Sequence, residues 1–321
     1  MKRRYVTGIS LLFIIIFILE ITISSKAVSI QNTETTPTIF IVDATNTAGT
    51  YTTIQEAIDD APKGSTISVR AGTYNEIIQI NKQLTLIGED KTSTIISAKS
   101  TYNGYTIEIR AQGVTVSGFC ITNTGPGLYT TGIKLNAPQT TILNCEFMDT
   151  PIGIAVWSSE NTIKNCRFTR CTDEGIAILG SSAASCTKNM IANCEFTQNC
   201  DGIELQHASE NVIMNCKFSD NTHSGIDAIF SNNENTIENC EIKNNAVNGI
   251  YLSRSCANMI KDCTISNNKN GDVIVAAGSS NNQILNQESH ELLKTLRYQN
   301  IRSYVRLISS YIQAARLRLL A

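Results

Sequence analysis

The stretch Asn144-Cys145-Glu146-Phe147 returns, slightly altered, as Asn165-Cys166-Arg167-Phe168, Asn193-Cys194-Glu195-Phe196, Asn215-Cys216-Lys217-Phe218, Asn239-Cys240-Glu241-Ile242 and Asp262-Cys263-Thr264-Ile265. Successive cysteines of this series lie 21, 28, 22, 24 and 23 residues apart. A second element falls between them: Gly132-Ile133-Lys134-Leu135, Gly153-Ile154-Ala155-Val156, Gly175-Ile176-Ala177-Ile178, Gly202-Ile203-Glu204-Leu205, Gly225-Ile226-Asp227-Ala228 and Gly249-Ile250-Tyr251-Leu252. Repetition of short apolar motifs at such a period is the mark of a solenoid.

Each period holds two or three very short stretches of apolar alternation, too brief for helices, separated by Asn, Ser, Thr and Gly. The unit reads as a coil of short strands. One coil alone buries nothing, but stacked coils pair each strand with its counterparts at roughly 4.8 Å and align equivalent residues in ladders. The expected fold is therefore all-β, a parallel β-helix solenoid. Alternation turns Ile203 and Leu205 inward and Glu204 outward. Cys166 and Phe168 share the inner face, whereas Ile163 lies three residues before Cys166, so the chain must bend near Asn165. Asparagine accepts the left-handed backbone of such a bend, and Asn144, Asn165, Asn193, Asn215 and Asn239 are expected to form a stacked asparagine ladder with a structural role. The cysteine column reads as small core residues. In-register side chains on parallel strands stay near the strand spacing, beyond the ~3.5–4.5 Å between Cβ atoms that a disulfide prefers. Free thiols are expected, and parallel side chains without nearby His do not make a metal ladder.

Of the 321 residues, 42% are hydrophobic and 17% charged, which excludes disorder for most of the chain, and 31 Asn with 19 Gly exclude a mainly helical protein. The net charge of −2 conceals two basic ends; residues 28–286 carry 16 Lys and Arg against 25 Asp and Glu. An acidic body argues against a nucleic-acid partner. Residues 1–27 carry Lys2-Arg3-Arg4, an apolar run over 9–19, and small residues at Ser25 and Ala27. They predict a secretory signal peptide, with an N-terminal anchor as the alternative, and residues 28–37 form a linker to the solenoid at 38–286. Beyond it, Ile301, Val305, Ile308, Ile312, Ala315 and Leu319 recur at helical spacing with basic flanks. Residues 287–321 are expected to form an amphipathic helix that covers the last coil or touches anionic lipid or a partner chain.

The N-terminal stretches Tyr51-Thr52-Thr53-Ile54-Gln55-Glu56-Ala57-Ile58, Ala61-Pro62, Gly72-Thr73-Tyr74 and Leu84-Thr85-Leu86-Ile87-Gly88, together with the repeats, resemble the right-handed β-helix superfamily of pectin lyases. Within it the opening is similar to NosD-like proteins and to pectin methylesterases. The resemblance spans residues 38–286 and implies a right-handed coil whose open N-terminal edge is covered by an amphipathic helix over residues 53–61. It does not fix an activity, because the fold carries lyases, hydrolases, esterases, epimerases, adhesins and carbohydrate-binding modules. The esterase element Asp-Phe-Ile-Phe-Gly corresponds to Ile176-Ala177-Ile178-Leu179-Gly180, which lacks the acid. Asn199-Cys200-Asp201-Gly202-Ile203-Glu204 resembles a polygalacturonase element and makes Asp201 a candidate acid, but Thr222-His223 replaces the acidic pair expected one coil later. No Arg stands beside the acidic columns as a pectate lyase would want.

One polar constellation stands apart from any family. Asp173, Cys200 and His223 lie two positions before the repeated Gly; Glu174, Asp201, Ser224 and Asn248 one before; Glu204, Asp227 and Tyr251 two after. Stacking would hold Glu204 and Asp227 about 5 Å apart, close to a retaining glycosidase pair, and like charges at that range would raise one pKa. The same spacing follows for any stacked pair, so the readings are solvated carboxylates, a Ca2+ or sugar site, or catalysis by Asp201, Glu204 and Asp227. The metal is unknown; the NosD resemblance raises copper, but His207 and His223 lack an accompanying Met or Cys cluster. Trp157, the sole tryptophan, follows a strand at a turn, with Phe230 and Tyr251 expected farther along the same side as a sugar-stacking platform. Asp173, Glu174, His223, Tyr251, Trp157 and Phe230 are thus candidate ligand contacts. The expected function is recognition of polysaccharide or cell-envelope glycan by a secreted or surface protein. The alternatives are a polysaccharide lyase, hydrolase or epimerase and a structural surface protein.

Overall fold

A computed structural model describes residues 38–46 and 51–285. The expected signal segment 1–27, linker 28–37 and C-terminal helix 287–321 lie outside them. Three parallel sheets run the length of the solenoid. The first has 11 strands, from Ile39–Val42 to Gln283–Leu285. The second and third have nine each, from Gly72–Tyr74 to Thr264–Ser266 and from Ile78–Ile80 to Gly271–Val275. Successive coils stack without slippage, so Ile163, Ile191 and Ile213 are partners in the first sheet and Phe168, Phe196 and Phe218 in the second.

The repeated residues explain this register. Phe147, Phe168, Phe196 and Phe218 are fully buried and stack face to face, with centroids 4.8, 4.8 and 4.7 Å apart and ring planes within 4°. The strand spacing itself sets the stack. Beside it stands the column Cys145, Cys166, Cys194, Cys216, Cys240 and Cys263, all buried, and all eleven cysteines of the chain are free. Their thiols donate to backbone carbonyls, as Cys166 does to Lys164 at 3.3 Å. The repeated glycine is required by close approach: a Cβ at Gly153 would lie 2.4 Å from the Gly175 carbonyl oxygen and 2.6 Å from the Phe168 ring.

Asn144, Asn165, Asn193, Asn215 and Asn239 do make left-handed bends, with φ of 51, 56, 54, 54 and 52°. They stack at the surface, where the Asn193 side chain donates to Asn165 Oδ1 at 3.2 Å, and two longer hydrogen-bonded asparagine ladders are buried. One consists of Asn161, Asn189, Asn211, Asn235, Asn258 and Asn282, the other of Asn199, Asn221, Asn245 and Asn268. In each rung the Oδ1 accepts from the backbone and side chain of the preceding coil, as Asn211 does from Asn189 at 2.9 and 3.0 Å. The expected column is thus present at the surface, and the two buried ladders are additional to it. A side chain at an outward bend reaches water, whereas one at a turn folded over the core must satisfy buried backbone donors.

The single helix among the described residues is Ile54–Asp60, begun by Thr53, whose side chain accepts from the Glu56 N–H. Ile54, Ala57 and Ile58 are buried in the core. Glu76 accepts from the first two helical N–H groups at 2.9 and 3.0 Å, and Gln55 accepts from the N–H of Gln79 on the edge strand Ile78–Ile80 at 2.8 Å. Edge donors that would otherwise recruit another strand are thus occupied.

Candidate functional site

Outward-facing residues of the third sheet form in-register columns. The central one runs Glu108, Lys134, Ala155, Ala177, Glu204, Asp227, Tyr251 and Ile274. Beside it, Glu174 pairs with Asp201. Three zones result. Toward the N-terminal end, Glu108 is held by Arg110 at 2.7 Å and Asn136 at 2.8 Å, with Lys134 at 3.5 Å. In the middle, Ile152, Ala155 and Ala177 form an outer apolar patch, each no more than 2% exposed, with Tyr129, Trp157 and Leu179 packed against it. Farther on lies a group of carboxylates.

The carboxylates are buried although the face is outward. Glu174 and Glu204 are 2% exposed, Asp227 is 1% and Asp201 is 6%. Asp201 Oδ1 accepts from the Ser224 N–H at 2.8 Å and contacts His223 Nδ1 at 2.8 Å. Asp227 Oδ2 lies 3.9 Å from the same imidazole nitrogen, and its Oδ1 is buried with no hydrogen-bond partner among the described residues. Gln206 donates to Glu204 at 2.6 Å. Burial, reinforced by the nearby charges of Asp201 and Glu204 and opposed by His223, drives the Asp227 carboxyl well above its ordinary range. Burial does the same to Glu174, with Asp173, Glu204 and Asp201 adding repulsion. Asp173 is raised to about 6, chiefly by burial, with its Glu174 hydrogen bond opposing. For His223, burial acts downward, but the Asp201 hydrogen bond and surrounding carboxylates outweigh it and lift the imidazole to about 9. Such opposed environments let neighbouring groups hold or release protons at neutral pH.

Asp173, Glu174, Asp201, Glu204, His223 and Asp227 are therefore brought together, and Tyr251 follows Asp227 in register. One expectation is corrected. Trp157 groups with Tyr129 and Leu179 rather than with Phe230, because its column continues through Leu179, Gln206 and Ile229, while Phe230 lies in the turn one residue farther on. There the Arg254 guanidinium sits 4.4 Å from the Phe230 ring centroid, and His207 lies beside it at 6.4 Å, away from His223. Sequence reasoning missed Tyr129 and the apolar patch. The available signal was turn length: residues 99–104 and 124–130 connect the second and third sheets where a later coil uses only 149–151. These longer turns are joined by Asn103, whose N–H donates to Pro126 and whose side chain accepts from Tyr129.

The pattern of the family described as a right handed beta helix region matches residues 38–184 and 131–288. The chain belongs to this right-handed β-helix family. Among similar proteins, an 86-residue stretch is 44% identical to a cell surface glycoprotein of Methanothermus fervidus, covering 26% of this chain and 14% of that protein. A 160-residue stretch is 26% identical to probable pectinesterase 56 of Arabidopsis thaliana, covering 45% of this chain and 54% of that one. The chain thus spans about half or less of these relatives. The right-handed β-helix also superposes on pectate lyase Pel9A with a TM-score of 0.54 at 14% identity, over 80% of this chain and 78% of the lyase. That likeness is one of fold.

Proposed function

We propose that this right-handed β-helix is a secreted or surface protein that binds polysaccharide or cell-envelope glycan along the outer face of its third sheet. One observation carries the reading: the partly exposed rings of Tyr129 and Trp157, packed over the buried Ile152, Ala155 and Ala177, adjoin the carboxylates of the next coils on a single sheet face. Sugar rings offer apolar faces and rims of hydroxyl donors, so aromatic surfaces beside oxygen acceptors suit them. From Ala155 to Asp227 the column advances three coils, roughly 14 Å, enough for several sugar units. The basic, apolar start of the chain and a cell surface glycoprotein among its relatives support an extracellular or surface location. Affinity electrophoresis through gels containing neutral or acidic polysaccharides tests the proposal. Retardation by at least one polymer, lost in Trp157→Ala and kept in Arg167→Ala on the second sheet, is expected. Equal migration in every gel would leave a structural surface protein.

The proximity of Asp227, biased toward the neutral acid, to His223, biased toward the cation, supports a second reading as a polysaccharide lyase, hydrolase or epimerase using Asp201, Glu204 and Asp227. New chain ends or unsaturated products that vanish in Asp201→Asn would establish it. Absence of product would return the face to binding alone.

A further inference from the structure

The central acidic group contains a nitrogen donor, and this changes what it is suited to hold. Ligand atoms of Asp201, His223 and Asp227 all lie within 4.8 Å of one another. The 2.8 Å between Asp201 Oδ1 and His223 Nδ1 equals the edge of a right-angled coordination pair with metal–ligand bonds of about 2.0 Å. Asp227 Oδ2, at 3.9 Å from that nitrogen, reaches a tetrahedral edge of about 3.3 Å by a side-chain shift of roughly half an ångström. The second oxygen of Asp227 is an independent sign: it is buried, on a side chain 1% exposed, and has no partner among the described residues. Buried polar atoms are nearly always satisfied, and an orphan is commonly explained by an absent water or ion. Among the described residues, no Lys or Arg is paired with any of the three. The Ser224 N–H bonded to Asp201 supplies the outer support that orients a ligating carboxylate.

We infer that Asp201, His223 and Asp227 bind one divalent first-row transition-metal ion between two adjacent coils. One imidazole with two carboxylates is a borderline set that favours zinc, manganese or cobalt, whereas calcium prefers six to eight oxygens. The ion takes the place of the proton shared by Asp201 and His223, so the neutral imidazole ligates through Nδ1. Water completes the shell. The inference stands whether or not the face binds glycan.

Co2+ is the probe, added to purified chain previously stripped with chelator. One equivalent is expected to bind saturably, with a visible spectrum of nitrogen and oxygen ligation and no thiolate charge-transfer band. His223→Gln and Asp227→Asn are each expected to weaken binding by at least about tenfold, and equimolar Ca2+ leaves the bound Co2+ in place. Should either variant fail to fold, Mn2+ added to the wild-type chain provides the check. Its paramagnetism is expected to broaden the imidazole resonances of His223 and not those of His207. Absence of saturable binding, a thiolate spectrum, unchanged affinity in His223→Gln, displacement by equimolar Ca2+, or broadening that spares His223 would overturn the assignment.

Discussion

Asp173 and Glu174 stand before the third-sheet glycine of one coil, half-buried and buried respectively, and each is less comfortable ionised than in the unfolded chain. For Asp173 the pKa rises from 3.8 to about 6. The folded state then holds the proton to higher pH, so stability contributed by this group is fully present below pH 4 and is lost as pH rises toward 6. Asp173→Asn removes that slope. In chelator-treated protein it is expected to be more stable than wild type by about 1–2 kcal/mol at pH 7, allowing for partial exposure, and equal to it near pH 3.5. Urea titrations at the two pH values check this. The charges of this group were visible in the sequence because Gly-Ile repeats align them, but their burial was not. Nothing in Glu204 or Asp227 reports that neighbouring coils cover an outward face. Nor did the alignment reveal that His223 turns to Asp201 while His207 lies by Phe230.

At the scale of single strands and turns, two ladders keep the coils in register. A methyl at Gly175 would stand 2.7 Å from both the Gly202 carbonyl oxygen and the Phe196 ring. Because one of these is backbone, Gly175→Ala is expected to destabilise by about 1–3 kcal/mol, measured as a lower denaturant midpoint. Asn211→Ala leaves the Asn189 N–H and side chain without their acceptor inside the core, which costs about 2–3 kcal/mol. Asn215→Gly, at an exposed left-handed bend with φ of 54°, is expected to change stability by less than about 0.5 kcal/mol. The same calorimetric or denaturant comparison separates them. Strand alternation and the bend were readable from Ile163, Cys166 and Phe168. The buried ladder was also written in sequence, since Asn161, Asn189, Asn211, Asn235 and Asn258 each precede a first-sheet strand. It escaped notice because a repeated Asn beside an invariant Cys is the stronger pattern, and repetition alone does not tell an exposed bend from a buried one.

Across the whole molecule, the period made the solenoid legible, while the binding face emerged only from three-dimensional stacking. Tyr129 belongs to a turn with no counterpart in later coils, so no internal alignment could bring it to Trp157 and Leu179. The resulting face joins an apolar floor to a carboxylate group and is the basis for the glycan-binding proposal. Its most direct test uses the fact that Trp157 is the only tryptophan in the chain. Intrinsic fluorescence during titration with oligosaccharides of the polymer that retards the protein reports on this face alone. A saturable shift or quench of Trp157 emission, abolished by Tyr129→Ala in a chain that still folds, is the predicted result. Binding measured by gel retardation while the emission of Trp157 stays unchanged would contradict the account.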